Sequence, residues 1–470
     1  MLSQALQAWA AGHPSLRLLT HPDQMAPFLL DWRKRYQGRA LAVAQPSCTA
    51  DVAALVAWCQ AHRVAVVPQG GNTGLSGGAT PDASGQSVVL SLARMRQVRG
   101  IDLDNHTLTA EAGCTLQQVQ DAAQAAGLLF PLSLASEGSC TLGGNLSTNA
   151  GGVQVLRYGN ARELCLGLEV VTAQGEVWDG LRGLRKDNTG YDLRDLFIGA
   201  EGTLGVITAA VMKLYPQPRS EATAWAATGS LREAQALLRL ARRHLDASLT
   251  AFEVVGEAAL GLVLRHVPGT RAPLASPSPW QVLLQCGSAS PGLAAHEALQ
   301  ALLEEALSQG LVQDAVLAES QDQARQLWKL RESVSEAQAA EGPNIKHDIA
   351  LPADTLAPFV DEAQAALQAA HPGCRLIVFG HLGDGNLHFN VSPPLGEAHQ
   401  AFLARQHDVH HITHDLVHRH RGSISAEHGL GQLRRDENAR LKSPVELRLQ
   451  RAIKQALDPL GLMNPGKVLG

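Results

Sequence analysis

Two histidines, His381 and His388, flank an Asp-Gly pair in the segment GHLGDGNLHFN (380–390). Asp-Gly between two β-like runs is a strong signal for a two-residue hairpin. With Asp384-Gly385 as the turn, Gly383 pairs with Asn386, Leu382 with Leu387 and His381 with His388. The two imidazoles then share one face, with Cβ atoms about 4.5–5.5 Å apart across the ladder, close enough to hold one metal ion. Asn390, two residues further on, lies on the same face. Two histidines alone are more often a satisfied polar pair. A third member shifts that balance: SISAEHGLG (423–431) supplies Glu427 and His428 on a glycine-edged strand or loop. His, His and Glu make a sensible open set for Zn²⁺ or a similar divalent ion, with positions left for a substrate.

Other charged and histidine-rich stretches have blander readings. His407, His411, His414 and His418 recur at i, i+4, i+7 and i+11 on a helical segment, opposite Phe402, Val409, Ile412 and Leu416. This stripe is expected to face solvent. WKLRESVSEA (328–337) reads as a helix with Arg331 and Ser335 on one face, and Lys346 follows at the start of a β-like run. By themselves these are an ordinary solvated Arg and Lys.

Glycine clusters mark a different chemistry. PQGGNTGLSGG (68–78) follows the strand-like AVV, and successive glycines let several backbone N–H groups converge on one anion. No Gly-Lys-Ser/Thr or G-x-G-x-x-G occurs there, which disfavours a P-loop or a nicotinamide-binding Rossmann site. SEGSCTLGGNLSTNAGG (136–152) adds many hydrogen bonders and little apolar surface, an expensive choice without a polar ligand. RKDNTGYDLRDLFIGAEGTLGVIT (185–208) adds Glu201-Gly202 before a strand. Three such stretches suit an elongated dinucleotide better than three independent turns.

The elements that must position these groups alternate in type. The opening segment to about Arg35 reads as helical and surface-like. LAVAQP, AVVPQG, SVVLSL and TLTAEAG read as strands, and DVAALVAWCQAHR and TLQQVQDAAQAAG as amphipathic helices. Thr115 is the expected N-cap of the latter and Gly127 its stop. LCLGLEVVTAQGEVW turns at Gln174-Gly175, and a boundary is expected near Pro216-Gln217-Pro218. Beyond it come Ala/Leu-rich helices such as SLREAQALLRLARRHL, strands WQVLLQC and RLIVFGHL, and a final helix with a Pro/Gly-rich tail.

At 470 residues, 18% charged and 45% apolar with net charge -5, the chain is long enough for two or three domains and gives no electrostatic footprint for nucleic acid. Seven cysteines without a C-x-x-C pair disfavour iron–sulfur or thiolate-zinc sites and fit a reducing compartment. Neither a signal peptide nor a transmembrane run of 18 apolar residues is read.

QGGNTG, GSCTLGGNLSTNAGG, RKDNTGYDL and FIGAEGTLG resemble the FAD-binding domain of vanillyl-alcohol-oxidase-type flavoproteins, and within them the D-2-hydroxyglutarate dehydrogenase family. The resemblance runs from about Ala40 to the C-terminal NPGK. It implies an α+β fold: a two-lobed FAD-binding domain (1–218, core about 38–217), a substrate- and metal-binding domain with an antiparallel sheet covered by helices (219–440), and a C-terminal segment (441–470) returning to the first. It places Gly70, Gly71, Asn72, Thr73 and Gly74 at the FAD pyrophosphate, flanked by Pro68 and Gly78. Ser136, Gly138, Thr141, Gly143, Gly144, Thr148, Gly152 and Asn464 line the cofactor, with Glu201 and Ile207 nearer its adenosine half. Loop 68–78 has no His or Cys, so FAD is expected to be non-covalent.

The same resemblance implies that His381, His388 and Glu427 ligate a divalent metal, with zinc favoured. Arg331, Ser335, Lys346, Asn390 and His428 contact substrate, and His428 takes the hydroxyl proton. The implied reaction is FAD-dependent oxidation of D-2-hydroxyglutarate to 2-oxoglutarate, with electrons leaving to a separate acceptor such as electron-transfer flavoprotein. Alternatives are a D-lactate or glycolate dehydrogenase of the same superfamily, a non-catalytic FAD-binding subunit, or a flavin-free metal hydrolase. A homodimer is compatible with the sequence, and the expected compartment is the cytoplasm, or the mitochondrial matrix in a eukaryote.

Overall fold

The computed structural model describes residues 2–469, which form two compact units. The first contains the chain up to Gly151, Gly159–Pro216 and the segment from Glu427 on; the second contains Gly152–Tyr158 and Gln217–Ala426.

Near-continuous apolar runs make the first unit's four-stranded sheet, ordered Arg17–Leu19, Ala42–Gln45, Ser87–Ser91, Ala65–Gln69. The last three strands are parallel, and parallel strands need both faces covered. Val66, Val88 and Leu90 pack with Val52, Leu55 and Val56 of the helix Thr49–Ala61, while Val43 and Val89 meet Leu19 and Met25. The opening segment is therefore not simply helical. Leu19 pairs with Val43 in an antiparallel edge strand and enters that core. A five-stranded antiparallel sheet follows, ordered Val98–Asp102, Thr107–Glu111, Gly205–Lys213, Cys165–Thr172, Val177–Gly180. Thr115 caps the helix Leu116–Ala125 in a capping box with Gln118, and Gly127 beyond it has φ +75°.

The C-terminal segment completes the first unit. The Val66 N–H donates to the Leu462 carbonyl at 2.9 Å and the Asn464 N–H to the Val66 carbonyl at 2.8 Å. The return begins at Glu427 rather than near 441, because the buried Glu201 carboxylate accepts the backbone N–H groups of Leu430 (2.7 Å) and Gly431 (2.8 Å).

The second unit is a seven-stranded antiparallel sheet ordered Asp314–Leu317, Ser220–Thr228, Trp280–Ser288, Leu249–Gly256, Arg375–Gly380, Asn386–Ser392, Asp348–Ala350. Side chains alternate across a strand, and both faces are helix-covered. Val254, Leu284, Val378 and Phe389 pack with Leu237, Leu299, Phe359 and Val409 from the helices Leu231–Leu245, Ala294–Ser308, Leu356–Ala370 and Gln406–Arg419. Val255, Leu283 and Phe379 on the other face meet Val263, Leu330 and Val334 from Glu257–His266, Gln321–Glu332 and Val334–Glu341.

Two local expectations are corrected here. The hairpin register is Phe379 opposite His388, not His381 opposite His388, and the connection spans residues 381–385 rather than two residues. The Asp384 and Asn386 N–H groups both donate to the His381 carbonyl (3.3 and 3.2 Å), closing a longer loop with Gly385 at φ +87°. A register shift of two keeps His388 on its expected face, where a shift of one would invert it; His381 lies in the loop beyond the ladder. The segment 328–337 is also not one uniform helix: it divides at Ser333, burying Arg331 and leaving Ser335 exposed.

Candidate functional site

The first unit contains a cavity of about 870 Å³ open to solvent, walled by the glycine stretches. Pro68 comes from the end of strand Ala65–Gln69, and Gly70, Gly71, Asn72, Thr73, Gly74 and Gly78 from the loop after it. Thr141, Gly143, Gly144 and Thr148 come from the second stretch, and Glu201 and Ile207 from the third. Gly70 and Gly71 are required by close approach. A Cβ on Gly71 would fall 1.9 Å from the Ser139 carbonyl oxygen, and one on Gly70 2.3 Å from Thr141 Oγ1. Thr141 caps the short helix Leu142–Ser147, accepting the Gly144 N–H at 3.3 Å. A cleft walled by glycine backbone and small polar side chains suits the polar body of FAD.

Gly71→Ala tests this wall. Overpacking of this kind costs about 1–3 kcal/mol, so FAD affinity is expected to weaken about 5–150-fold. Flavin absorbance retained after gel filtration, with circular dichroism as the folding control, measures it.

Some sequence-assigned residues stand elsewhere. Ser136 and Gly138 are not in the cavity wall; the Ser136 carbonyl instead accepts the Ser139 and Cys140 N–H groups at 2.9 and 2.8 Å. Gly152 belongs to the second unit. Asn464 acts behind the wall, its Nδ2 donating to the carbonyls of Gly78 (2.9 Å) and Glu201 (2.6 Å). Of the third stretch, 185–193 is largely exposed surface, with Tyr191 96% exposed, and only the Glu201–Ile207 end reaches the cavity. Glu201 does more than line it. Burial pushes this carboxyl up from its ordinary value against the two N–H bonds from Leu430 and Gly431, and those bonds position the loop that carries His428. His428 is itself in the cavity wall.

Ser76, Cys140, Asn145 and Ser147 also line the cavity; Asn145 and Ser147 were among the hydrogen bonders read in the second stretch, while Ser76 and Cys140 were missed. All four lie inside the quoted glycine stretches, so their signal was present but diluted. Burial raises the Cys140 thiol's pKa above its ordinary value, which keeps it protonated and a poor nucleophile.

In the second unit His381, in the loop after Gly380, and His388, on the next strand, have ring centroids 5.7 Å apart with planes at 75°. His381 Nδ1 lies 2.8 Å from Glu253 Oε1. A carboxylate on one imidazole nitrogen fixes the ring and directs the other nitrogen outward, the arrangement that metal-binding histidines use. Glu253 is fully buried and also meets Arg331 Nη2 at 2.8 Å. Burial alone would raise its pKa, but His381 and then Arg331 hold the carboxyl below its ordinary value. Glu253 was missed from sequence, although a lone Glu in the apolar strand AFEVVG (251–256) was a readable signal.

The groups assigned to substrate carboxylates are partly engaged. Arg331 is paired with Glu253 and lies 5.1 Å from the Phe379 ring centroid, and its buried Nε has no hydrogen-bond partner. Asn390 donates to Gln338 Oε1 at 2.8 Å and accepts the His347 N–H at 3.3 Å. The Asp348–His388 and Ile345–Val391 pairings place Lys346 opposite Asn390 on the histidine face. Glu427 begins the returning segment one residue after Ala426, whose N–H donates to the Asp348 carbonyl at 3.2 Å.

The histidine stripe departs from expectation. His407 and His418 are exposed, but His414 is only 2% exposed, because the helix Gln406–Arg419 is covered on more than its apolar stripe.

Comparison with known proteins gives two family matches. Residues 40–180 match the FAD binding domain, and 217–468 match the C-terminal domain of FAD linked oxidases. The chain is 40% identical over 455 residues to D-2-hydroxyglutarate dehydrogenase of Xanthomonas citri pv. viticola, covering 97% of this chain and 94% of that protein. It is 40% identical over 454 residues to the mitochondrial D-2-hydroxyglutarate dehydrogenase of Bos taurus, covering 96% and 81%. Among solved structures, p-cresol methylhydroxylase superposes with TM-score 0.73 at 16% identity over 99% of this chain and 96% of that one. The 4-ethylphenol oxidase from Gulosibacter chungangensis gives 0.71 at 18% identity, over 96% and 94%. These two establish the fold, which is of the vanillyl-alcohol-oxidase type. No helix among the described residues is long and apolar enough to cross a membrane.

Proposed function

We infer, from a chain that belongs to the D-2-hydroxyglutarate dehydrogenase family of FAD-linked oxidases, that it oxidises the C2 hydroxyl of D-2-hydroxyglutarate to the 2-oxo acid. The substrate rests on relatives at 40% identity over nearly the whole chain. The chemistry rests on one observation, the placement of His428 in the wall of the glycine-built cavity. When bound, non-covalent FAD supplies a hydride acceptor and a divalent metal, zinc in this reading, supplies a Lewis acid beside the substrate oxygen.

The chain's own residues do the rest. His428 accepts the hydroxyl proton. His381, His388 and Glu427 would hold the metal, a reading supported by the closeness of the two rings, the Glu253 contact that turns His381 outward, and the covalent link from Glu427 to the Asp348-bonded Ala426. Lys346 serves one substrate carboxylate as a compact charge, together with Arg331, Ser335 and Asn390; a second carboxylate explains more than one cation there. Electrons then leave to a separate carrier, of which electron-transfer flavoprotein is our choice.

The test is anaerobic mixing of the purified yellow protein with D-2-hydroxyglutarate, D-lactate or glycolate. Rapid loss of the flavin band near about 450 nm with the dicarboxylate, abolished by prior chelation and restored by Zn²⁺, is the expected result. Bleaching by lactate alone would transfer the activity to a monocarboxylate. Full activity after verified metal removal would sink the metal assignment.

A further inference from the structure

On the sheet face opposite the His381–His388 pair, three more histidines converge. His347 precedes Asp348, the ladder partner of His388, so its side chain points the other way, toward the helix Gln406–Arg419. That helix presents His410 and His414 at i, i+4, their rings stacked at 5.3 Å with planes 7° apart. His347 sits edge-on to both, at 4.7 Å from His410 and 5.4 Å from His414. One ring nitrogen from each of the three lies within 4.8 Å of the others. His347 and His414 are 1% and 2% exposed.

The ring orientations are informative. His347 Nδ1 lies 2.8 Å from the Phe389 carbonyl oxygen, which can only accept, so Nδ1 carries a proton and in the neutral ring Nε2 presents the lone pair. Nε2 faces His410 Nδ1 at 2.8 Å. A backbone carbonyl behind a histidine is the support that metal-ligating imidazoles use. Two nitrogens bound tetrahedrally to zinc at about 2.0–2.1 Å lie about 3.3 Å apart, so a metal would open the 2.8 Å His347–His410 side by about half an ångström and draw His414 in from no more than 4.8 Å.

We propose that His347, His410 and His414 form a second, structural site for an imidazole-preferring divalent metal of the zinc class, tying the strand edge at Asp348–Ala350 to the helix Gln406–Arg419. This site shares no ligand with the set proposed at His381, His388 and Glu427, so the two can be separated by mutation.

The test uses the full-length flavin-loaded protein, equilibrated with Zn²⁺, freed of excess, and assayed for metal per chain by mass spectrometry. Wild type is expected to hold two equivalents, His410→Ala one, His388→Ala one and the double variant none. His410→Asn, which keeps a polar partner for His347 but ligates zinc poorly, guards against misfolding and should also hold one. Zn²⁺ should raise the melting temperature of wild type and His388→Ala, with that second-site increment absent in His410→Asn. Two equivalents in both His410 variants would overturn the second site. So would a single wild-type equivalent lost in His388→Ala but kept in His410→Asn. A single equivalent lost only in the His410 variants would uphold it and remove the metal from the proposed catalytic reading.

Discussion

His428→Ala is expected to slow anaerobic flavin reduction by D-2-hydroxyglutarate about 10²–10⁴-fold, the usual contribution of a positioned general base. The flavin should stay bound, because the cradle is built from the glycine stretches and His428 is one lining residue among them. Stopped-flow absorbance gives the rate, and the resting flavin spectrum controls for cofactor loss. Added imidazole should restore part of the rate, since it replaces a missing proton acceptor but repairs no general distortion. A near-normal rate in the variant would show that the proton leaves by another route. The geometry also makes Glu201 a positioning residue for this base. Its carboxylate takes two N–H groups three residues or fewer beyond His428, so Glu201 substitutions should affect His428 through the loop.

The second large effect concerns Glu253. Glu253→Ala leaves the Arg331 guanidinium buried without its carboxylate, which costs about 3–5 kcal/mol when such a pair is broken. It also removes the partner of His381 Nδ1, and loss of such a partner weakens metal binding about 10–100-fold. Urea unfolding of the second unit and zinc retention measure the two consequences separately. Combining Glu253→Gln with Arg331→Met removes both charges and should recover most of the stability, because a buried ion pair and an apolar replacement are often of similar stability. Turnover should not recover if Arg331 also serves a substrate carboxylate. Zinc affinity and stability unchanged in Glu253→Ala would show that the Glu253–His381–Arg331 cluster has neither role.

Much of this protein was readable without coordinates. The three glycine stretches declared themselves by composition, since backbone that must approach other backbone within a Cβ's radius admits no other residue, as at Gly71 against Ser139. The face of His388 survived a mistaken register because the error was an even number of residues, whereas His381 reaches it from the loop after Gly380, held by its contact with Glu253. Thr115 as a cap was legible because capping is a local hydrogen bond. Features that join distant segments were not legible. Glu253 and His381 are 128 residues apart, and His347 and His410 are 63 apart; no periodicity links either pair. The return at Glu427 depends on a carboxylate 229 residues before Leu430. The burial of His414 could not be read from its helix alone, because an apolar stripe shows which side faces the core but not how far neighbouring elements wrap around it. Sequence determined the chemical vocabulary and the local turns, both governed by short-range sterics and hydrogen bonding. Tertiary structure alone decided which titratable groups meet, because that depends on how sheets and helices stack over long chain separations.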